Sequence, residues 1–237
     1  MFDTAMTNEN NTTTNHPTGA ASAGQDNRQY DYTTPPAEVR QEYDIIARMI
    51  APHSRVVDLG CGNGALLSKL AKERSCSAAG IELSPSGVEI CRRAGFDVRC
   101  GRIDEVLPYS DDTFDYAVCN VTMQMVLYPE TLLSEMKRVA RRQIVSFPNF
   151  AFYKNRMELL FRGRMPRHML FGYEWYSTGH IHQFSITDFM NLVDAIGGLR
   201  VVSHESVEIP SALKQLLVKR FPNLFELIPV FLLEKAG

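Results

Sequence analysis

The sequence predicts an α/β fold: a doubly wound, mostly parallel sheet of seven strands, with an antiparallel last strand and helices on both faces. Three observations predict it. From residue 37 onward, β-rich runs alternate with helical patterns, as a parallel sheet with crossover helices requires. The first run, Arg55 to Leu59, leads straight into Gly60, Gly62 and Gly64. The second, Ser77 to Glu82, ends on an acid 18 residues after Gly64.

Each element carries its own signal. Residues 1 to 36 are rich in Asn, Thr, Ser, Gly and Gln. Such a segment has too little apolar surface to offset its ordering entropy, so a disordered polar tail is expected there. Tyr43, Ile45, Ile46, Met49 and Ile50 share a helical face that Pro52 and Ser54 end. After the first strand, Leu66, Leu67, Leu70 and Ala71 give a second helical stripe. Ser84 is placed to cap a third helix, with Pro85 at its first position and Gly95 as its stop. Residues 96–100 and 114–120 read as strands. Leu132, Leu133, Met136 and Val139 then mark a helix, and residues 143–149 a fifth strand. Ser185 and Asp188 have capping-box spacing ahead of Phe189, Leu192, Val193 and Ile196, and Gly197-Gly198 stops that helix. Residues 199–205 and 229–235 supply two more strands, separated by a helical stretch at 211–221. That ending suits a final strand inserted antiparallel at the sheet edge.

Composition excludes several function classes. The chain has 237 residues, suited to one domain with a tail or cap, and 45% of them are hydrophobic, enough for a sizeable core. A formal net charge of −2 argues against general nucleic-acid binding. No apolar run is long enough to span a bilayer. Five cysteines, Cys61, Cys76, Cys91, Cys100 and Cys119, show no metal-type spacing. With no signal peptide in view, they point to a reducing cytoplasm.

In a doubly wound sheet, ligands bind beyond the carboxyl ends of the strands, where the first strand turns into its helix. Glycines there allow close backbone approach, and the helix start offers free N–H groups. Asp58 ahead of the turn and Glu82 after the second strand point to a nucleoside-type cofactor, with Glu82 placed to bind a ribose diol. A dinucleotide fingerprint would place its third glycine one position later than Gly64.

On these residues the chain resembles the class I S-adenosylmethionine-dependent methyltransferases, a Rossmann-like fold. Their acid–glycine turn is similar to Asp58-Leu59-Gly60-Cys61-Gly62-Asn63-Gly64, and their ribose acid to Glu82, which Leu83 follows. The resemblance implies that Asp58 sits near the methionine moiety and that Asn120, Val121 and Thr122 floor the reacting centre. The runs SRVVDLGCGNG, RRQIVSFPNF, LLFRGRMP, YEWYSTGHIH and PVFLLEK, in that order over about residues 40 to 237, narrow it to the MetW family of methionine biosynthesis. This implies a methyltransferase-like domain over 37–237, with S-adenosylmethionine or S-adenosylhomocysteine as ligand. It also implies a partnership with homoserine O-acyltransferase, as partner or activating subunit. The alternative is an active methyltransferase on a small molecule.

Two features stand apart. Where relatives carry an acid for the adenine amino group, this chain has Arg102, which cannot accept a hydrogen bond. Adenine recognition would then rest on backbone groups and Ile103, with Asp104 substituting only if its loop is shifted. Residues 150 to 183 form a cap-sized insertion between the fifth strand and its helix, and long insertions over a cleft are usually functional. It gathers Lys154, Arg156, Arg162, Arg164 and Arg167 around Glu158. Tyr173, Trp175 and Tyr176 are expected to pack in the core or cap, although such aromatics also suit interfaces. His180 and His182 alternate and would face one way on an extended segment; hydrogen bonding is their expected role, with no metal site. No nucleophile or acid–base pair is recognisable, so catalytic residues stay unassigned. Methyl transfer needs alignment above all, which can supply roughly 7–11 kcal/mol. Docking of the acyltransferase is expected at residues 160 to 182.

Overall fold

The computed structural model describes residue 32 and residues 40–167, 175–176, 178–207 and 217–236. Most of the expected tail, Tyr173 and residues 211–216 of the expected late helix lie outside these.

The alternation is as the sequence predicts. Strand β1 (Arg55–Leu59) leads into α2 (Ala65–Arg74), β2 (Ser77–Glu82) into α3 (Pro85–Arg93), and β3 (Asp97–Cys100) follows. Helix α1 (Glu42–Met49) precedes them. Beyond β4 (Phe114–Asn120) come a 3-10 turn at Met123–Met125, α4 (Pro129–Val139), β5 (Ala140–Ser146) and α5 (Tyr153–Arg162). Then α6 (Ile186–Ile196), β6 (Leu199–Ser206) and β7 (Pro229–Lys235) close the fold.

The seven strands lie in the order β3-β2-β1-β4-β5-β7-β6. β1 is parallel to β2 and β4, and β4 to β5. β7 is antiparallel to both β5 and β6. The last strand is therefore antiparallel, as expected, but sits one place in from the edge, with β6 outermost. Its seven residues are almost all buried, whereas β6 is largely exposed and carries a register shift between Val201 and Ser203. Such an irregularity discourages pairing at an open edge.

Successive residues of a strand point to opposite faces, and here both faces are covered. Val57, Leu59, Ala117, Cys119, Val145, Phe231 and Leu233 meet Leu132, Leu133, Met136 and Val139 of α4 and Phe189 and Val193 of α6. Their neighbours Val56, Val118, Ile144, Val230 and Leu232 meet Ile45 and Ile46 of α1 and Leu66 and Leu70 of α2. Truncating one such core leucine costs about 2–5 kcal/mol.

Local signals also hold. In α6 the Ser185 side chain accepts from the Asp188 backbone while the Asp188 carboxylate accepts from the Ser185 backbone, a complete capping box. Gly95 and Gly197, at φ 89° and 64°, follow α3 and α6 in conformations that side chains resist. Among the described residues no helix is long and apolar enough to cross a membrane.

Candidate functional site

The turn after β1 is held by its neighbours. Both Gly60 and Cys61 donate backbone hydrogen bonds to the Ile81 carbonyl, at 2.8 and 3.2 Å, tying the turn to β2. Gly60, Gly62 and Gly64 all have positive φ. A Cβ at each would press on the protein itself: on Thr122 Cγ2 at 2.7 Å, Tyr32 Cε1 at 3.1 Å and Cys91 Sγ at 2.8 Å respectively. The three glycines thus serve internal packing as well as any ligand, and only Gly60 of the three lines the adjoining cleft.

That cleft has a volume of about 300 Å³ at the carboxyl ends of the central strands. Of the residues singled out from sequence, Gly60, Glu82, Leu83, Arg102, Ile103, Asp104 and Thr122 line it. Asp58, Cys61, Gly62, Asn63, Gly64, Asn120 and Val121 are not among its lining. Asp58 is deeply buried beneath the turn, and its Oδ1 has no hydrogen-bond partner. Asn63 Oδ1 accepts from the Ala65 amide at the start of α2, and Gly64 occupies that helix's N-cap position. Cys61 turns away, packing with Leu67, Val88, Cys91 and Val98.

Glu82 is almost wholly enclosed. Its carboxylate accepts from the Gly62 amide at 2.7 Å and the Ser84 amide at 2.8 Å. Burial raises its pKa, while the amides of Ser84, Gly62 and Leu83 oppose the rise. Asp58 is raised to about 7, mainly by burial and then by the neighbouring Glu82 charge. Two carboxyls under one turn, one with an unpartnered oxygen, fit a ligand bearing hydroxyl and ammonium donors. A hydrogen bond with Cys91 and burial hold the Cys61 thiol protonated, and burial pushes Cys119 up to about 12. Neither thiol is a nucleophile at neutral pH.

At the Arg102 position the guanidinium pairs with Asp104 at 2.6 Å and Glu105 at 3.0 Å. Asp104 itself lines the cleft, and its Oδ2 also accepts from the amides of Leu127 at 2.7 Å and Tyr128 at 3.2 Å. This carboxylate knots the β3 and β4 loops together, so most of its accepting capacity is spent inside the protein.

After β4 the backbone is strained. Val121, a β-branched residue, sits at φ 50°, held by its amide's bonds to the Ser146 carbonyl and hydroxyl at 3.0 and 3.1 Å. Such outliers persist only where the surroundings over-determine them, and they cluster at functional sites. Asn120 accepts from the Ser146 hydroxyl, and Thr122 donates to the Asn120 carbonyl at 2.9 Å. Of the three, Thr122 reaches the cleft.

Sequence reasoning missed several lining residues. Met125, Val126 and Leu127 form an apolar wall, and Thr178, Gly179 and Ile181 come from the β5–α6 insertion. Tyr32 also lines the cleft although it falls within the expected tail. A tyrosine in a polar run (Tyr30-Asp31-Tyr32) was the available signal. The insertion is tied to the post-β4 turn, since the amides of Ile181 and His182 both donate to the Gln124 carbonyl at 3.0 Å. His180 and His182 do face one way: both line a small chamber with Gln124, whose Oε1 is buried and unpartnered. Trp175 and Tyr176, expected to pack, are instead exposed and lie edge-on to each other at 5.6 Å. On α5, Tyr153, Met157, Leu160 and Phe161 form an exposed apolar stripe. Of its basic neighbours, Arg164 and Arg162 pair with Glu158, at 2.7 and 3.7 Å, while the Arg156 side chain donates to the Ala151 carbonyl instead.

Comparison with known proteins agrees with this architecture. A family profile described as methionine biosynthesis protein MetW matches residues 40–233. The bifunctional methionine biosynthesis protein MetXA/MetW of Rhodopirellula baltica is 36% identical over 174 residues, which cover 69% of this chain and 27% of that protein. The chain thus spans about a quarter of that relative's length. An S-adenosylmethionine-dependent methyltransferase from Mesorhizobium loti superposes with a TM-score of 0.58 at 16% identity, covering 83% of this chain and 98% of that one. The geranyl diphosphate C-methyltransferase of Streptomyces coelicolor, solved with S-adenosyl-L-homocysteine, gives 0.57 at 12% identity, covering 82% and 79%. At such identities these two likenesses speak to the fold, which is that of the class I methyltransferases.

Proposed function

The chain belongs to the MetW family of methionine biosynthesis proteins, and on that premise we propose that it binds S-adenosylmethionine and acts with homoserine O-acyltransferase, as its partner or activating subunit. The observation that carries this reading is a shared lining. Glu82, Leu83 and Gly60 line the same cleft as Thr178, Gly179 and Ile181 of the β5–α6 insertion. A protein seated on the insertion therefore touches a segment whose own residues meet the ligand. Occupancy of the cleft and docking on the insertion can bias each other, as linkage requires. The pairing of names in the Rhodopirellula relative, together with the family's place in methionine synthesis, supports the choice of partner.

In this reading Glu82 holds the ribose hydroxyls, Asp58 faces the ammonium of the methionine moiety, and Ile103 packs on the adenine. Gly62 and Asn63 shape the turn, Leu83 lines the cleft beside Glu82, and Asn120 with Val121 fixes the post-β4 backbone. The bound group supplies an electrophilic methyl sulfonium. The chain's part is to bind it, orient it and exclude water. Calorimetry with S-adenosylhomocysteine, followed by co-elution of this protein with the acyltransferase, tests both halves. Saturable binding and a shared elution peak support the reading; absence of either removes that half.

The second reading is a methyltransferase acting on a small molecule. The chamber of Gln124, His180 and His182 favours it, because His180 and His182 flank the cleft-lining Ile181 and Gln124 precedes the cleft-lining Met125. Loss of a methyl group from labelled cofactor in the presence of a pathway metabolite pool would support it.

A further inference from the structure

We propose that Tyr32 is a ligand-contact residue, forming the outer wall of the cleft beside Glu82. The inference rests on the cofactor reading above and extends it to a segment that sequence composition assigns to an inert tail.

The placement is specific. Tyr32 lines the same cleft as Gly60 and Glu82. Its backbone amide donates to the Ser86 hydroxyl, 54 residues away in the first turn of α3, at 3.3 Å. Its ring lies over two glycines: a Cβ at Gly62 would fall 3.1 Å from Tyr32 Cε1, and one at Gly87 would fall 3.0 Å from Cδ2. Gly87 lies inside α3, where glycine is unfavourable. Part of its reason is the Gly62 carbonyl, which a Cβ would approach to 2.6 Å; the remainder is Glu82 Cγ and the Tyr32 ring. Both glycines therefore keep open a seat for an aromatic ring against the turn that carries Glu82.

The chemistry follows from the rest of the lining. Ile103, Met125 and Val126 add apolar surface to the same cleft. A nucleoside bearing an amino-acid arm, lying against these side chains and the tyrosine, is covered by both. Its hydrogen bonds to Glu82 are then shielded from competing water, which strengthens them. Aromatic rings supply such cover at low conformational cost, with a hydroxyl left for the wet side.

The test uses the full chain with S-adenosylhomocysteine as probe. Wild type, Tyr32→Ala, Tyr32→Phe and Glu82→Ala are titrated by calorimetry, and exchange of the Tyr32 amide hydrogen is followed with and without the probe. We expect Tyr32→Ala to bind about tenfold more weakly, the scale of losing one buried ring. Tyr32→Phe should keep most of the affinity, and the probe should slow exchange at residue 32 in wild type. Equal or tighter binding by Tyr32→Ala, with Glu82→Ala weakened, overturns the role of Tyr32 and leaves the cofactor reading intact. No binding by wild type overturns both.

Discussion

The turn after β1 and the insertion between β5 and α6 treat polar and apolar groups in opposite ways. Beneath the turn, two carboxyls are enclosed, with Asp58 at 3% and Glu82 at 4% exposure. On the insertion, large apolar groups face water: Leu160 at 73%, Phe161 at 72%, Trp175 at 66% and Tyr176 at 70%. Burying acids without full pairing is costly, and so is exposing a contiguous apolar stripe. On the reading proposed above, a small ligand with donors would complete the first and a protein surface the second. The proposed cofactor site and docking face would then lie within one domain, joined by Thr178 to Ile181.

The largest effect expected from this contrast is on stability against pH. Asp58 titrates at about 7 in the fold against 3.8 for the ordinary group, burial being the main cause. Its folded pKa is raised, so its stabilising contribution is complete below about pH 4 and is lost as pH rises through 7. A shift of this size corresponds to roughly 4 kcal/mol. Glu82, also raised by burial, acts in the same direction. Urea denaturation of the ligand-free protein from pH 4 to 8 should show wild type falling relative to Asp58→Asn. Parallel curves would mean that Asp58 is solvated and that the turn is not the closed acidic site described.

Next in size is the ribose contact. Glu82→Ala should lose about 1.5–3 kcal/mol of cofactor binding, the range for charged hydrogen bonds, or roughly tenfold to over hundredfold in Kd. Equal affinity in calorimetry would remove Glu82 from the ligand.

On the docking side, Trp175→Ala should weaken acyltransferase binding by about 2 kcal/mol, the scale of an interface hot spot. Because Trp175 touches solvent rather than core, the melting temperature and cofactor affinity should not move. Arg162→Glu is the companion test. Arg164 is less suitable, since its pair with Glu158 at 2.7 Å is internal to the insertion. Undiminished binding by both variants would move the interface elsewhere.

The smallest effect is at the base. With Arg102 in place of an acceptor, and Asp104 Oδ2 taken by Arg102 and two amides, the inosine analogue of the cofactor should be rejected less than about tenfold, far below the 10⁴-fold or more of a site built to pair that group. Strong rejection would assign the adenine amino group to Asp104 or a backbone carbonyl.

What could be read from sequence was what short spacing determines. The capping box at Ser185 and Asp188 and the acid–glycine turn each depend on residues a few places apart, and Glu82 was legible as the acid that ends the second strand-like run. The place of β7 was not, because pairing with β5 across more than 80 residues leaves no local trace. Tyr32 was hidden for the same reason: its seat is made by Gly62 and Gly87, far along the chain. Trp175 and Tyr176 were misjudged because residue type favours burial and interface alike, and only exposure separates the two.

The central claim is that ligand in the cleft and partner on the insertion belong to one device. Acyltransferase activity measured with and without this protein, at zero and saturating S-adenosylmethionine, tests it most directly, with Glu82→Ala run in parallel. The account predicts that the complex is more active than the acyltransferase alone, and that S-adenosylmethionine changes the wild-type complex but leaves the Glu82→Ala complex unmoved. Activity that is the same in all four conditions would contradict it.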